Sequence, residues 1–179
     1  MAQKINPVYY NISSELDITN SSFTYGEVYS DNVINVIINL YDEDIAFEDY
    51  YFIDIGCGCG KLLLDITKKL NIYSCGIEIE PKRYEECKQQ IENYKMDTKI
   101  ELYNDNFKNK YFGNYDVLYC CNFVFSKEDN LMLYKKIINE FTGYVLLFDY
   151  NHILKPFYIS EDIVKTSWSP CVKIFIFKL

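Results

Sequence analysis

The sequence predicts an α/β fold: a doubly wound, mostly parallel, seven-stranded sheet of Rossmann-like type whose last strand runs antiparallel. Three observations predict it. From residue 51 onward, short β-branched or aromatic runs alternate with longer segments of helical periodicity. Three glycines follow directly on the first of these runs. Beyond Asp149 the alternation stops, and two strand-like runs flank Ser169-Pro170, the pattern of a closing hairpin.

The elements follow in order. Residues 1–24 are polar and irregular, and residues 1–27 are expected to form an N-terminal arm over the site. Residues 28–50 hold one helix, Asp31 to about Leu40, with Val33, Val36, Ile37 and Leu40 on one face. Residues 51–179 form the core. Its strands are expected at Tyr51–Ile55, Tyr73–Ile79, Lys99–Tyr103, Tyr115–Cys121, Tyr144–Asp149, Asp162–Trp168 and Val172–Phe177. Helices lie between them, where Leu63, Ile66 and Leu70 recur at helical spacing, then Tyr84, Cys87 and Ile91, then Leu131, Tyr134, Ile138 and Phe141. Pro81 suits the first turn of the second of these, and Ser126 with Asp129 makes a capping box for the third. Strand–helix–strand units of this length imply right-handed crossovers. No internal repeat or linker interrupts them, so residues 1–179 read as one domain.

Composition narrows the function. At 179 residues, 49% apolar and 25% charged, the chain can bury a core. No run approaches the roughly 18 consecutive apolar residues of a membrane helix, and no basic-then-apolar leader opens the sequence. The expectation is therefore an intracellular protein (nucleus or cytoplasm) without membrane contact, and a monomer. A net charge of −8 excludes a chain-wide basic surface, so intrinsic nucleic-acid binding is expected to be weak or nil. Seven cysteines without framework spacing suggest reduced thiols, and with His152 the only histidine no metal site is expected.

The glycines carry the first chemical signal. Gly56, Gly58 and Gly60 fall within five residues of a chain that has seven glycines in all. Glycine lets the backbone turn sharply and approach a ligand closely, while the next helix offers free N–H groups. Lys61 stands where a dinucleotide fingerprint needs its third glycine, and Leu62 follows it where a phosphate loop needs Ser or Thr. What stands here is Asp54-Ile55-Gly56-Cys57-Gly58-Cys59-Gly60. This resembles the first motif of class I S-adenosylmethionine-dependent methyltransferases, which share the fold drawn above. The resemblance implies S-adenosyl-L-methionine as cofactor, with Asp54 near its methionine moiety. Glu78, about twenty residues past the loop, is placed for the ribose hydroxyls, with Glu80 as its rival or as a helix cap. Asp105, Asn106 and Phe107 after the third strand fall where such enzymes hold adenine; otherwise they form an ordinary turn.

The resemblance narrows at Asn122-Phe123-Val124-Phe125, after the fourth strand. Together with Tyr25-Gly26-Glu27, Gly76-Ile77-Glu78 and Ser167-Trp168, it is similar to the Dot-one (disruptor of telomeric silencing) family, which methylates a lysine in the core of histone H-three. Tyr10-Asn11 resembles that family's cofactor-covering loop. The likeness runs from about residue 7 to the end. It implies a protein substrate, a histone or nucleosome, with Tyr10, Asn11, Tyr25 and Glu27 at the cofactor. Asn122 would orient the target amine, and Phe123, Phe125 and Trp168 would wall an apolar channel that disfavours ammonium. Cys121, Lys61, Ile174 and Phe175 depart from the family, and its long basic segments are missing from these residues. Two alternatives stay open. Asn122-x-x-Phe125 also fits a worn form of the Asn-Pro-Pro-Phe motif of enzymes that methylate an adenine amino group or an amide. The other is a non-catalytic methyltransferase-like subunit, against which the intact Asp54, Gly56, Gly58, Gly60 and Glu78 count.

Overall fold

The computed structural model describes residues 26–41 and 45–179. Tyr10, Asn11 and Tyr25, and most of the expected arm, lie outside the described residues. Within them, helix α1 spans Ser30–Asn39, followed by β1 (Tyr51–Ile55), α2 (Lys61–Leu70), β2 (Tyr73–Glu78) and α3 (Pro81–Asn93). Then come β3 (Ile100–Asn104), β4 (Val117–Cys120), α4 (Lys127–Glu140), β5 (Tyr144–Leu147), β6 (Tyr158–Val164) and β7 (Val172–Lys178).

The seven strands form one sheet in the order β3-β2-β1-β4-β5-β7-β6. The first five pair in parallel, and β7 joins β5 and β6 antiparallel. This is the predicted architecture. The central strands are buried along nearly their whole length because both faces are covered. On one face Phe52, Tyr119 and Phe148 pack with Val33, Ile37, Leu63, Ile66 and Cys87 from α1, α2 and α3. On the other, Ile53, Ile77 and Leu118 pack with Leu133, Tyr134 and Ile137 from α4.

Three expectations are corrected. The apolar stripe of α4 is rotated by one position: Asn130, Leu133, Tyr134 and Ile137 are buried, whereas Leu131 is exposed. Asn130 faces inward because it hydrogen-bonds the β4 end, as described below. On α3 the inward positions are Arg83, Cys87 and Ile91, so a charged residue holds the place expected for Tyr84. The first hairpin strand starts at Tyr158 and stops at Val164. The segment after it bridges instead to the chain before α1, through Val28 against Thr166 and Tyr29 N–H donating to the Lys165 carbonyl at 3.0 Å. A tight turn ends it, with Thr166 N–H and hydroxyl both donating to the Ser169 carbonyl.

Candidate active site

The sheet's strand order reverses between β1 and β4, and a crevice opens there at the C-terminal ends of the parallel strands. It contains a cavity of about 730 Å³, lined from β1 by Asp54, from the β1–α2 loop by Gly56, Cys57 and Gly58, and from β2 by Glu78. Its far walls are Phe107 after β3, Cys121 and Phe123 to Phe125 after β4, and Gly26, Glu27, Ser167 and Trp168.

The glycine loop is conformationally demanding. Gly56, Gly58 and Gly60 have φ of 81°, 57° and 82°, a region that L side chains avoid. A Cβ on Gly56 would meet nothing within 4 Å, so that backbone faces open space. One on Gly60 would strike the Cys87 thiol, which shows how tightly the loop sits on α3. Gly76 of β2 is needed for the same close packing, because a Cβ there would lie 2.8 Å from both Cys57 Sγ and Leu63 Cδ2.

Two buried carboxylates flank the loop. Asp54 is 2% exposed, and no hydrogen bond to its carboxylate is made among the described residues. Burial, with a smaller contribution from the Glu78 charge, pushes its pKa up to about 8. Glu78 is 3% exposed, and each of its oxygens accepts one backbone hydrogen bond. One oxygen accepts from Gly58 N–H at 2.8 Å; the other accepts from Glu80 N–H at 2.8 Å and lies 3.4 Å from Arg83 Nη2. Glu80 serves instead as the cap of α3, accepting from Arg83 N–H at 2.8 Å.

Toward β3, Phe107 is buried and stacks on Phe125, with ring centroids 5.6 Å apart and planes 18° from parallel. Asp105 and Asn106 line the cavity beside it. One Asp105 oxygen is taken by the turn itself, accepting from Asn106 N–H at 2.6 Å and Asn109 Nδ2 at 2.8 Å. Phe123 and Trp168 are half-exposed on the cavity wall, and Phe123 meets Phe148 edge to face.

The structure brings Gly26-Glu27 and Ser167-Trp168 together, although they lie 140 residues apart in sequence. Glu27 N–H donates to Ser167 Oγ at 3.1 Å, and Ser167 N–H donates back to the Glu27 carbonyl at 2.7 Å. Trp168 lies close enough against Gly26 that a Cβ there would overlap its ring. Glu27 also faces Lys61 Nζ at 3.6 Å.

Asn122 is a correction. It is fully buried and does not line the cavity. Its amide oxygen accepts from Phe148 and Asp149 N–H, both at 3.0 Å. Its amide nitrogen donates to Asn130 Oδ1, the Asp149 carbonyl and the Tyr134 hydroxyl at 2.6, 2.9 and 3.2 Å. Every polar valence is used inside the protein, so the side chain cannot orient a target amine. Phe125 lines the same cavity as Phe123 and Trp168 while its ring stacks on Phe107. Arg83 is a site residue that the motifs do not single out; it is buried at 4% exposure and lines the cavity. The sequence does carry a signal for it, because it is the chain's only arginine, on the face that Cys87 and Ile91 turn inward.

No protein-family model matches the chain. Its sequence is similar to the rRNA N(6)-adenosine-methyltransferase metl-5 of Caenorhabditis elegans, 30% identical over 67 residues. That stretch covers 37% of this chain and 31% of the relative, so the chain matches about a third of that protein's length. Among solved structures, an RNA methyltransferase from Salinibacter ruber in complex with S-adenosyl-L-homocysteine superposes with a TM-score of 0.65 at 13% identity. The likeness covers 82% of this chain and 90% of that one. Magnesium protoporphyrin IX methyltransferase from Synechocystis PCC 6803 with bound SAM gives 0.66 at 16% identity, over 84% and 78%. The chain shares with these proteins the seven-stranded, Rossmann-like fold of class I methyltransferases.

Proposed function

We propose that the chain is an S-adenosylmethionine-dependent methyltransferase acting on an amino group of a non-histone substrate, with the adenine amino group of RNA as first candidate. The observation that carries the cofactor assignment is Asp54, a buried carboxylate without a hydrogen-bond donor among the described residues, beside a left-handed glycine loop and Glu78. A buried carboxylate of this kind calls for a cation, and the residues fit this one. Asp54 would hold an ammonium, Glu78 has lone pairs left for ribose hydroxyls, and the Phe107–Phe125 pair offers a flat wall for adenine. The cofactor supplies an electrophilic methyl group. The chain contributes position: apolar walls exclude water and hold the incoming nitrogen in line, which is the main source of rate in a displacement without a strong base.

The substrate assignment is supported by two half-exposed rings at the mouth, Phe123 and Trp168, which offer π-faces to a flat base. The partial likeness to an rRNA adenosine methyltransferase points the same way. A lysine substrate is the second reading, favoured by the meeting of Gly26-Glu27 with Ser167-Trp168. Labelled S-adenosylmethionine incubated with the protein and ribosomal RNA, nucleosomes or free histones in parallel tests both. Label in RNA at an adenine supports the proposal; label in histones alone overturns it.

A further inference from the structure

The chain has one arginine, and it is buried in this cavity. We infer that Arg83 is a positioning residue for the cofactor's ribose, acting through Glu78; the inference rests on the cofactor reading above. Asp54, Glu78 and Glu80 are buried at 2%, 3% and 7% exposure, and Arg83, at 4%, lies against the last two. Its Nη2 is 3.4 Å from Glu78 Oε1, and its Nε is 4.0 Å from Glu80 Oε2. Both acids are further pinned by backbone donors: Glu78 by Gly58 and Glu80 N–H, and Glu80 by Arg83 N–H, all at 2.8 Å.

The guanidinium is a planar fork whose Nη2 meets Glu78 at ion-pair distance, while its Nε lies 4.0 Å from Glu80 without a hydrogen bond to it. Its charge is therefore shared between the two carboxylates but directed at Glu78. Without it, two acids two residues apart would be buried with only backbone donors and would repel each other. Glu78 would then turn toward water through the cavity. Its grip on the glycine loop through Gly58 N–H would weaken, and with it the fixed pair of oxygens facing the ribose site. Arg83 itself need not touch the ligand.

The test is a cycle between residue and ligand. Calorimetry measures S-adenosylhomocysteine and its 2′,3′-dideoxyribose analogue on the wild type and on Arg83→Met, Arg83→Gln and Arg83→Lys. The wild type should prefer the ribose form by about 30-fold, the value of charge-assisted bonds to two hydroxyls. In Arg83→Met or Arg83→Gln that preference should collapse to about threefold or less, and in Arg83→Lys it should fall between. Where Met or Gln fails to fold, the lysine variant decides alone, since it keeps the charge and loses the fork. A folded variant that weakens both ligands equally, with the preference intact, makes Arg83 merely structural and overturns the inference. Wild type that binds neither ligand defeats the cofactor reading itself. Wild type that binds both equally shows that Glu78 does not read the ribose, and the inference falls with it.

Discussion

Asp54 carries the clearest conflict between stability and binding. Its carboxyl is held neutral in the unliganded protein up to about pH 8, against 3.8 ordinarily. Between those values the folded state keeps a proton that the unfolded chain has released. Stability from this group is therefore full below about pH 4 and is lost as pH rises toward 8, by on the order of a few kcal/mol. Asp54→Asn should accordingly raise the melting temperature of the unliganded protein at pH 8 and change it little at pH 4, while abolishing cofactor binding. A bound ammonium favours the carboxylate, so cofactor affinity should climb between pH 6 and 8 and level off above. Calorimetry at pH 7 in two buffers of different ionisation enthalpy should show up to one proton released per cofactor bound. Asn122 gives the opposite case. Asn122→Ala strands the donors and acceptors of Asn130, Tyr134, Phe148 and Asp149. It should cost about 2–4 kcal/mol in denaturant unfolding, with cofactor affinity and turnover falling only as far as the fold loosens.

At the scale of elements, Asn122 ties the end of β4 to the end of β5 and to the first turns of α4. Asn130 closes the tie by donating to the Asn122 and Phe125 carbonyls, both at 3.3 Å. The short turn that carries Phe123 to Phe125 across the cavity therefore hangs from a buried amide rather than from its own aromatic rings. This explains what the sequence discloses and what it hides. The glycine loop, the capping box at Ser126 and the five parallel strands are legible because each is a local matter of φ, capping or periodicity. The buried face of α4 escapes periodicity because Leu131 is as apolar as Leu133, and only a partner 8 residues away turns Asn130 inward. The end of β6 escapes it for the same kind of reason: Lys165 and Ser167 pair with a segment more than 130 residues earlier. Amphipathic spacing reports which residues can be buried; it is silent on which polar groups will pair.

At the scale of the molecule, the first five strands gather the polar groups of the site at one edge of the sheet, and the closing hairpin brings Trp168 back to it. Cofactor binding should therefore be felt globally. At 100 times its dissociation constant, S-adenosylmethionine should add about 2.7 kcal/mol of stability. For a chain of this size that is a rise of about 5–10 °C in a thermal-shift measurement. Asp54→Asn should erase the rise even though its own baseline at pH 8 lies higher. Net charge of −8 acts at this scale too. An RNA substrate would be engaged through its base more than its phosphates, so methyl transfer should lose less to added salt than a phosphate-gripping enzyme would.

The ring that rests on Gly26 at the mouth of the cavity is the chain's single tryptophan, set among 18 tyrosines and half open to solvent. All indole emission from this protein therefore originates at one point, on the wall of the cavity. A ligand that enters will shift or quench that emission, and tyrosines across the fold will feed it by energy transfer. The protein thus carries its own optical probe of whatever occupies this cavity, read without a label.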